Sequence, residues 1–126
     1  MRSQHKLALA GILAASLTLA SAGAALAHAL LVKAVPPVGG RVASSPSEIR
    51  ITYSETVEPR FSGIELKGAD GRSIATGGPS LDPKDHATLV VPLKGALQPG
   101  SYKVSWHAVS VDTHRTQGSF SFEVRP

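Results

Sequence analysis

Four residues of this chain have types and positions that could do chemistry together: His28, Glu55, Asp112 and His114. His28 follows Ala25-Leu26-Ala27, the small-residue pattern that signal peptidase accepts. Cleavage after Ala27 would give His28 a free α-amino group beside its imidazole, and those two nitrogens can close a chelate ring on one metal ion. Asp112-Thr113-His114 adds a carboxylate and a second imidazole at a spacing that puts both on one side of an extended segment. Three nitrogens and one oxygen make a tetragonal donor set of the kind that suits Cu(II).

Each residue also has a plainer reading. A D-x-H tripeptide arises often by chance, and alone it reads as an aspartate in a turn beside a solvent-exposed histidine. Glu55 continues the alternation of Ile49, Ile51 and Tyr53, which leans its carboxylate toward the core as the strand ends. It is either a carboxylate that orients the amine or an imidazole from outside the ligand set, or an exposed loop glutamate where Thr56-Val57-Glu58-Pro59 turns away. His107 reads as a solvated strand histidine and His86 as a surface one, while His5 is lost with the leader. Trp106 and Tyr102 share the parity of Val104 and read as core anchors.

The segments that must position these residues begin after the leader. Arg2 and Lys6 form a basic start, Leu7 to Leu19 an apolar stretch, and Ser21 to Ala27 a small-residue end, so residues 1–27 are expected to be a cleaved secretory signal. Ser16, Thr18 and Ser21 interrupt an apolar run already short of the roughly 20 residues a membrane span needs. Removing it takes away two bases and no acid, lowering the formal net charge from +4 to +2. The remaining Lys and Arg are scattered singly, which excludes a nucleic-acid or anionic-membrane footprint. With no cysteine, and Met1 the only methionine, the processed chain has no sulfur ligand for Cu(I) and must hold itself together by packing.

Residues 28–126 read as one all-β domain. Short alternating runs lie at 28–35, 48–54, 61–67, 73–76, 88–93, 101–109 and 118–124, separated by Gly, Pro and Asp turns. Asp70-Gly71 signals a hairpin, and Pro92 a strand end or edge. About seven strands at this spacing predict an immunoglobulin-like β-sandwich or Greek-key barrel, with function confined to loops or the N-terminus.

Taken together, Ala-Leu-Ala before His28, Pro-Ser-Glu-Ile-Arg-Ile-Thr-Tyr-Ser-Glu at 46–55, Gly-Ser-Tyr-Lys-Val-Ser-Trp at 100–106 and Val-Ser-Val-Asp-Thr-His at 109–114 resemble the CopC family of periplasmic copper-resistance proteins. The resemblance implies Cu(II) bound by the amine and imidazole of His28 with Asp112 and His114, and Glu55 at the family's acidic position near the site. The Met-rich loop that some members carry for Cu(I) is absent. The implied role is a monomeric periplasmic carrier or buffer, with no reaction, that sequesters copper and delivers it to an inner-membrane transport or resistance partner. After signal cleavage no insertion into the membrane is expected. Members usually have Gly and Pro where this chain has Thr113 and Arg115. A β-branched residue disfavours positive φ, so a differently shaped loop is expected, with the Arg115 charge near the ion.

Two other functions compete. An N-terminal histidine chelate with another histidine also resembles the copper site of oxidative polysaccharide-cleaving enzymes, although Asp112 would fill a position that oxygen chemistry needs open and few aromatics exist for a substrate platform. A metal-free interaction domain is the third.

Overall fold

The computed structural model describes residues 29–126, and the expected leader over 1–27, its cleavage point and His28 lie outside the described residues. Nine strands follow in order: β1 (Leu31–Val35), β2 (Arg41–Val42), β3 (Glu48–Tyr53), β4 (Gly63–Gly68), β5 (Ser73–Ile74), β6 (Ser80–Asp82), β7 (Asp85–Pro92), β8 (Gly100–Val109) and β9 (Arg115–Val124). They form a four-stranded sheet ordered β1-β3-β7-β6 and a five-stranded sheet ordered β2-β9-β8-β4-β5. All pairings are antiparallel except β2 with β9. The all-β expectation holds as a two-sheet sandwich, and no helix occurs among the described residues.

Alternation explains the layering. Along β3, Ile49, Ile51 and Tyr53 are buried while Glu48, Arg50 and Thr52 turn to the outer face. On that face the Arg50 guanidinium is held between the carboxylates of Glu48, at 3.0 Å, and Asp82. From β8 the inward row is Tyr102, Val104, Trp106 and Ala108, and from β9 it is Phe120, Phe122 and Val124. Burying a side chain such as Ile49, Ile51, Leu66 or Leu89 completely contributes about 1.5–3 kcal/mol each. In a chain without cysteine this packing carries the fold.

Tyr53 and Trp106 join the two sheets, their rings meeting edge to face with centroids 5.3 Å apart. Trp106 stands directly opposite Gly118 on β9. A Cβ at Gly118 would lie 2.7 Å from Trp106 Cζ2, so only glycine lets the indole lie flat across the neighbouring strand.

The Asp70-Gly71 hairpin joins β4 to β5 as expected, with Gly71 at φ 81° and its N–H donating to the Gly68 carbonyl at 3.0 Å. Pro92 ends β7. Two strands go beyond the expected seven. Residues 77–85, expected as a polar loop, contain the three-residue β6, and the two-residue β2 pairs with the end of β9. Both are too short for alternation to show.

Candidate metal centre

Strands β8 and β9 pair continuously out to Val109 opposite Arg115, leaving Ser110 to His114 as the connection. It is a tight loop, so the same-side spacing of an extended segment is not what brings Asp112 and His114 together. Instead the Asp112 carboxylate folds back over its own backbone: Oδ1 accepts the His114 N–H at 3.3 Å and lies 3.3 Å from His114 Nδ1. The same oxygen accepts the Ser110 hydroxyl. That hydroxyl is the main cause holding the Asp112 carboxyl below the usual carboxylate range, helped by the His114 N–H.

Ser110 itself is fully buried beneath an exposed loop. Its N–H donates to the His114 carbonyl at 2.9 Å, and its carbonyl accepts the Thr113 N–H at 2.8 Å. Thr113 closes this turn at φ 74°. The β-branched side chain was expected to disfavour positive φ, yet it occupies the left-handed conformation that favours glycine.

Glu55 does not continue the β3 alternation. The strand ends at Tyr53, Ser54 and Glu55 form a bend, and Val57 takes the next buried position. Val57 bridges to Ser110, Glu58 N–H donates to the Val109 carbonyl at 2.8 Å, and Val111 N–H to the Thr56 carbonyl at 3.3 Å. This antiparallel run reaches Thr56 and Val111, the chain neighbours of Glu55 and Asp112. The half-buried Glu55 carboxylate makes no hydrogen bond or ion pair among the described residues.

The start of the described chain arrives at the same end of the sandwich. Ala29 is fully buried, and its carbonyl accepts the Thr116 hydroxyl at 2.6 Å. Leu30 N–H donates to Ser54 Oγ at 2.9 Å, and Ser54 N–H to the Leu30 carbonyl at 2.8 Å. Residues 29 and 30 are thus fastened between the strand that leaves His114 and the bend that holds Glu55. Among the described residues Asp112 and His114 come together, but no three His, Asp or Glu side chains form a metal-binding cluster. His28 lies outside the described residues.

The remaining histidines stand apart. His86 is exposed at the start of β7. His107, read as solvated, is half-buried on the outer face of β8, close enough to Gly63 that a Cβ there would lie 3.4 Å from its Cε1. Burial and then the Arg115 charge lower its proton affinity. The charge of Arg115 thus acts on His107.

Sequence reasoning passed over Ser110 and Thr116. Ser110 had a usable signal: it extends the inward row Tyr102, Val104, Trp106, Ala108 by one step, so a polar residue was due to be buried there.

The family model of the CopC domain matches residues 31–125. Protein YobA of Escherichia coli K12 is 39% identical over 99 residues, covering 79% of this chain and 80% of YobA. The crystal structure of CopC from Methylosinus trichosporium OB3b superposes with a TM-score of 0.73 at 29% identity, covering 79% of this chain and 95% of that one. PcoC, described as a methionine-rich copper resistance protein from Escherichia coli, gives 0.70 at 32% identity, covering 79% and 100%.

Proposed function

The chain belongs to the CopC family, and on that premise we propose that it binds Cu(II) as cargo in the periplasm, once residues 1–27 have been removed, and hands it to a membrane transport or resistance partner. The ligands are the amine and imidazole of His28, the imidazole of His114 and the carboxylate of Asp112, in a single domain spanning 28–126. Glu55, next in the chain to Thr56 where the run to Val111 ends, lies outside the ligand set and orients the amine or an imidazole.

One observation carries this reading. The Thr116 hydroxyl holds the Ala29 carbonyl, two residues along the chain from His114, so the chain start is fastened at the end of the fold where Asp112 and His114 meet. A cleaved His28 is one residue, about 3.8 Å of chain, from that anchor. The donor set fits the cargo: nitrogens and one carboxylate oxygen suit Cu(II), and a processed chain lacking Cys and Met has no sulfur ligand to select Cu(I), unlike a methionine-rich relative. In this reading the protein is a monomeric carrier that catalyses no reaction.

A Cu(II) competition titration on protein beginning at His28 tests the reading. His114→Ala and acetylation of the amine should each weaken binding by about 10-fold or more, since each removes a direct ligand. Unchanged affinity in both would reject the site.

A further inference from the structure

We propose that Ser110 is the positioning residue for Asp112, its buried hydroxyl occupying one carboxylate oxygen so that the aspartate meets Cu(II) through the other oxygen alone. This rests on the copper reading above.

The geometry singles out the hydroxyl from the rest of the loop. Asp112 Oδ1 receives the Ser110 hydroxyl and the His114 N–H, with His114 Nδ1 also 3.3 Å away. With two hydrogen bonds accepted, the lone pairs of that oxygen are engaged. Asp112 Oδ2 makes none of these contacts.

Ser110 is built to be a fixed donor. It is 0% exposed, while the next four residues of the loop are exposed. Its N–H and carbonyl are both engaged within the loop, and its backbone bridges to Val57. A purely architectural role would be to close the turn, but the Thr113 N–H to Ser110 carbonyl bond and the Ser110 N–H to His114 carbonyl bond already do that. The side-chain oxygen also lies 3.3 Å from the His114 carbonyl, but its shorter bond is the one it donates to the Asp112 carboxylate.

The consequence for the metal is stereochemical. A carboxylate binding through one oxygen takes one position of a tetragonal ion and leaves three for nitrogens. Released from Ser110, Asp112 could rotate and offer both oxygens, crowding that plane.

The test uses protein beginning at His28, with Cu(II) competition titrations and electron paramagnetic resonance of the bound ion. Ser110→Ala should weaken Cu(II) binding by about 10- to 100-fold, the range for loss of a partner that orients a ligand, and should change the parallel copper hyperfine splitting. A turn-closing serine would alter metal-free stability and leave that splitting alone. Ser110→Thr keeps the hydroxyl and should restore the parent spectrum. Parent affinity and spectrum in Ser110→Ala, alongside lost binding in His114→Ala, would overturn the role of Ser110 and leave the site standing. Unchanged binding in His114→Ala would overturn the site itself. If the alanine variant does not fold, a folded Ser110→Thr protein with an altered spectrum overturns the proposal, and the parent spectrum upholds it.

Discussion

The Thr116 hydroxyl donates to the Ala29 carbonyl oxygen at 2.6 Å, tying the first described residue to the strand that leaves the Asp112-His114 loop. Thr116→Val keeps the shape and removes the donor, leaving a carbonyl on a fully buried residue without this partner. Such a loss costs about 1–3 kcal/mol. We expect a lower urea midpoint in the metal-free protein, and weaker Cu(II) binding because the amine is no longer delivered to the loop. A titration indistinguishable from the parent would mean that this tie does not set the position of the chain start.

Thr113 occupies a left-handed conformation at φ 74°, which costs a non-glycine residue about 1–3 kcal/mol. Thr113→Gly relieves that strain, while giving up the threonine hydroxyl bond to the Asp112 carbonyl and increasing the freedom of the unfolded chain. The expected net gain is about 1 kcal/mol, read as a higher denaturant midpoint with unchanged slope. A loss of stability would show that the hydroxyl bond outweighs the backbone strain.

Tyr53 places its hydroxyl in the core with no hydrogen-bond partner among the described residues, and burial alone drives its proton affinity upward. An unpaired buried hydroxyl costs about 1–3 kcal/mol. Tyr53→Phe retains the ring against Trp106 and should raise stability by about 1 kcal/mol. Calorimetric melting of the two proteins measures it; a clear decrease would reveal a partner for that oxygen.

Burial and Arg115 hold the His107 imidazole below its ordinary 6.5. The unfolded chain therefore takes up this proton at a higher pH than the folded chain does. Stability consequently falls as pH drops from about 6.5 toward the folded value, and the loss is complete below both. His107→Gln should flatten that part of the profile. Urea midpoints of metal-free protein across about pH 7.5 to 5 provide the comparison, and an equal slope in both proteins would contradict the assignment.

Most of the sandwich was legible because its long strands bury one face. The row Ile49, Ile51, Tyr53 and the row Tyr102, Val104, Trp106, Ala108 each state a period of two. Strands β2 and β6 were hidden because two or three residues cannot state a period. Asp112 and His114 were singled out from their types, and their meeting depends on an aspartate folding back on a turn and not on strand parity. Glu55 was given the wrong local geometry, since a bend at Ser54 handed its expected inward position to Val57. Thr113 shows the limit most clearly: its side chain argued against a backbone angle that the surrounding hydrogen bonds impose.

The strand that follows the chain start, β1, lies at the rim of its sheet and among the described residues has β3 as its only neighbour, with a bulge between Leu31 and Lys33. Such a margin opens more readily than the interior, and local opening free energies are what amide hydrogen exchange reads. An ion that bridges His28 to the Asp112-His114 loop would fasten the rim to the opposite sheet. Cargo loading should then appear as slowed exchange at Leu30 and Ser54, making occupancy of the protein visible as the closing of a seam.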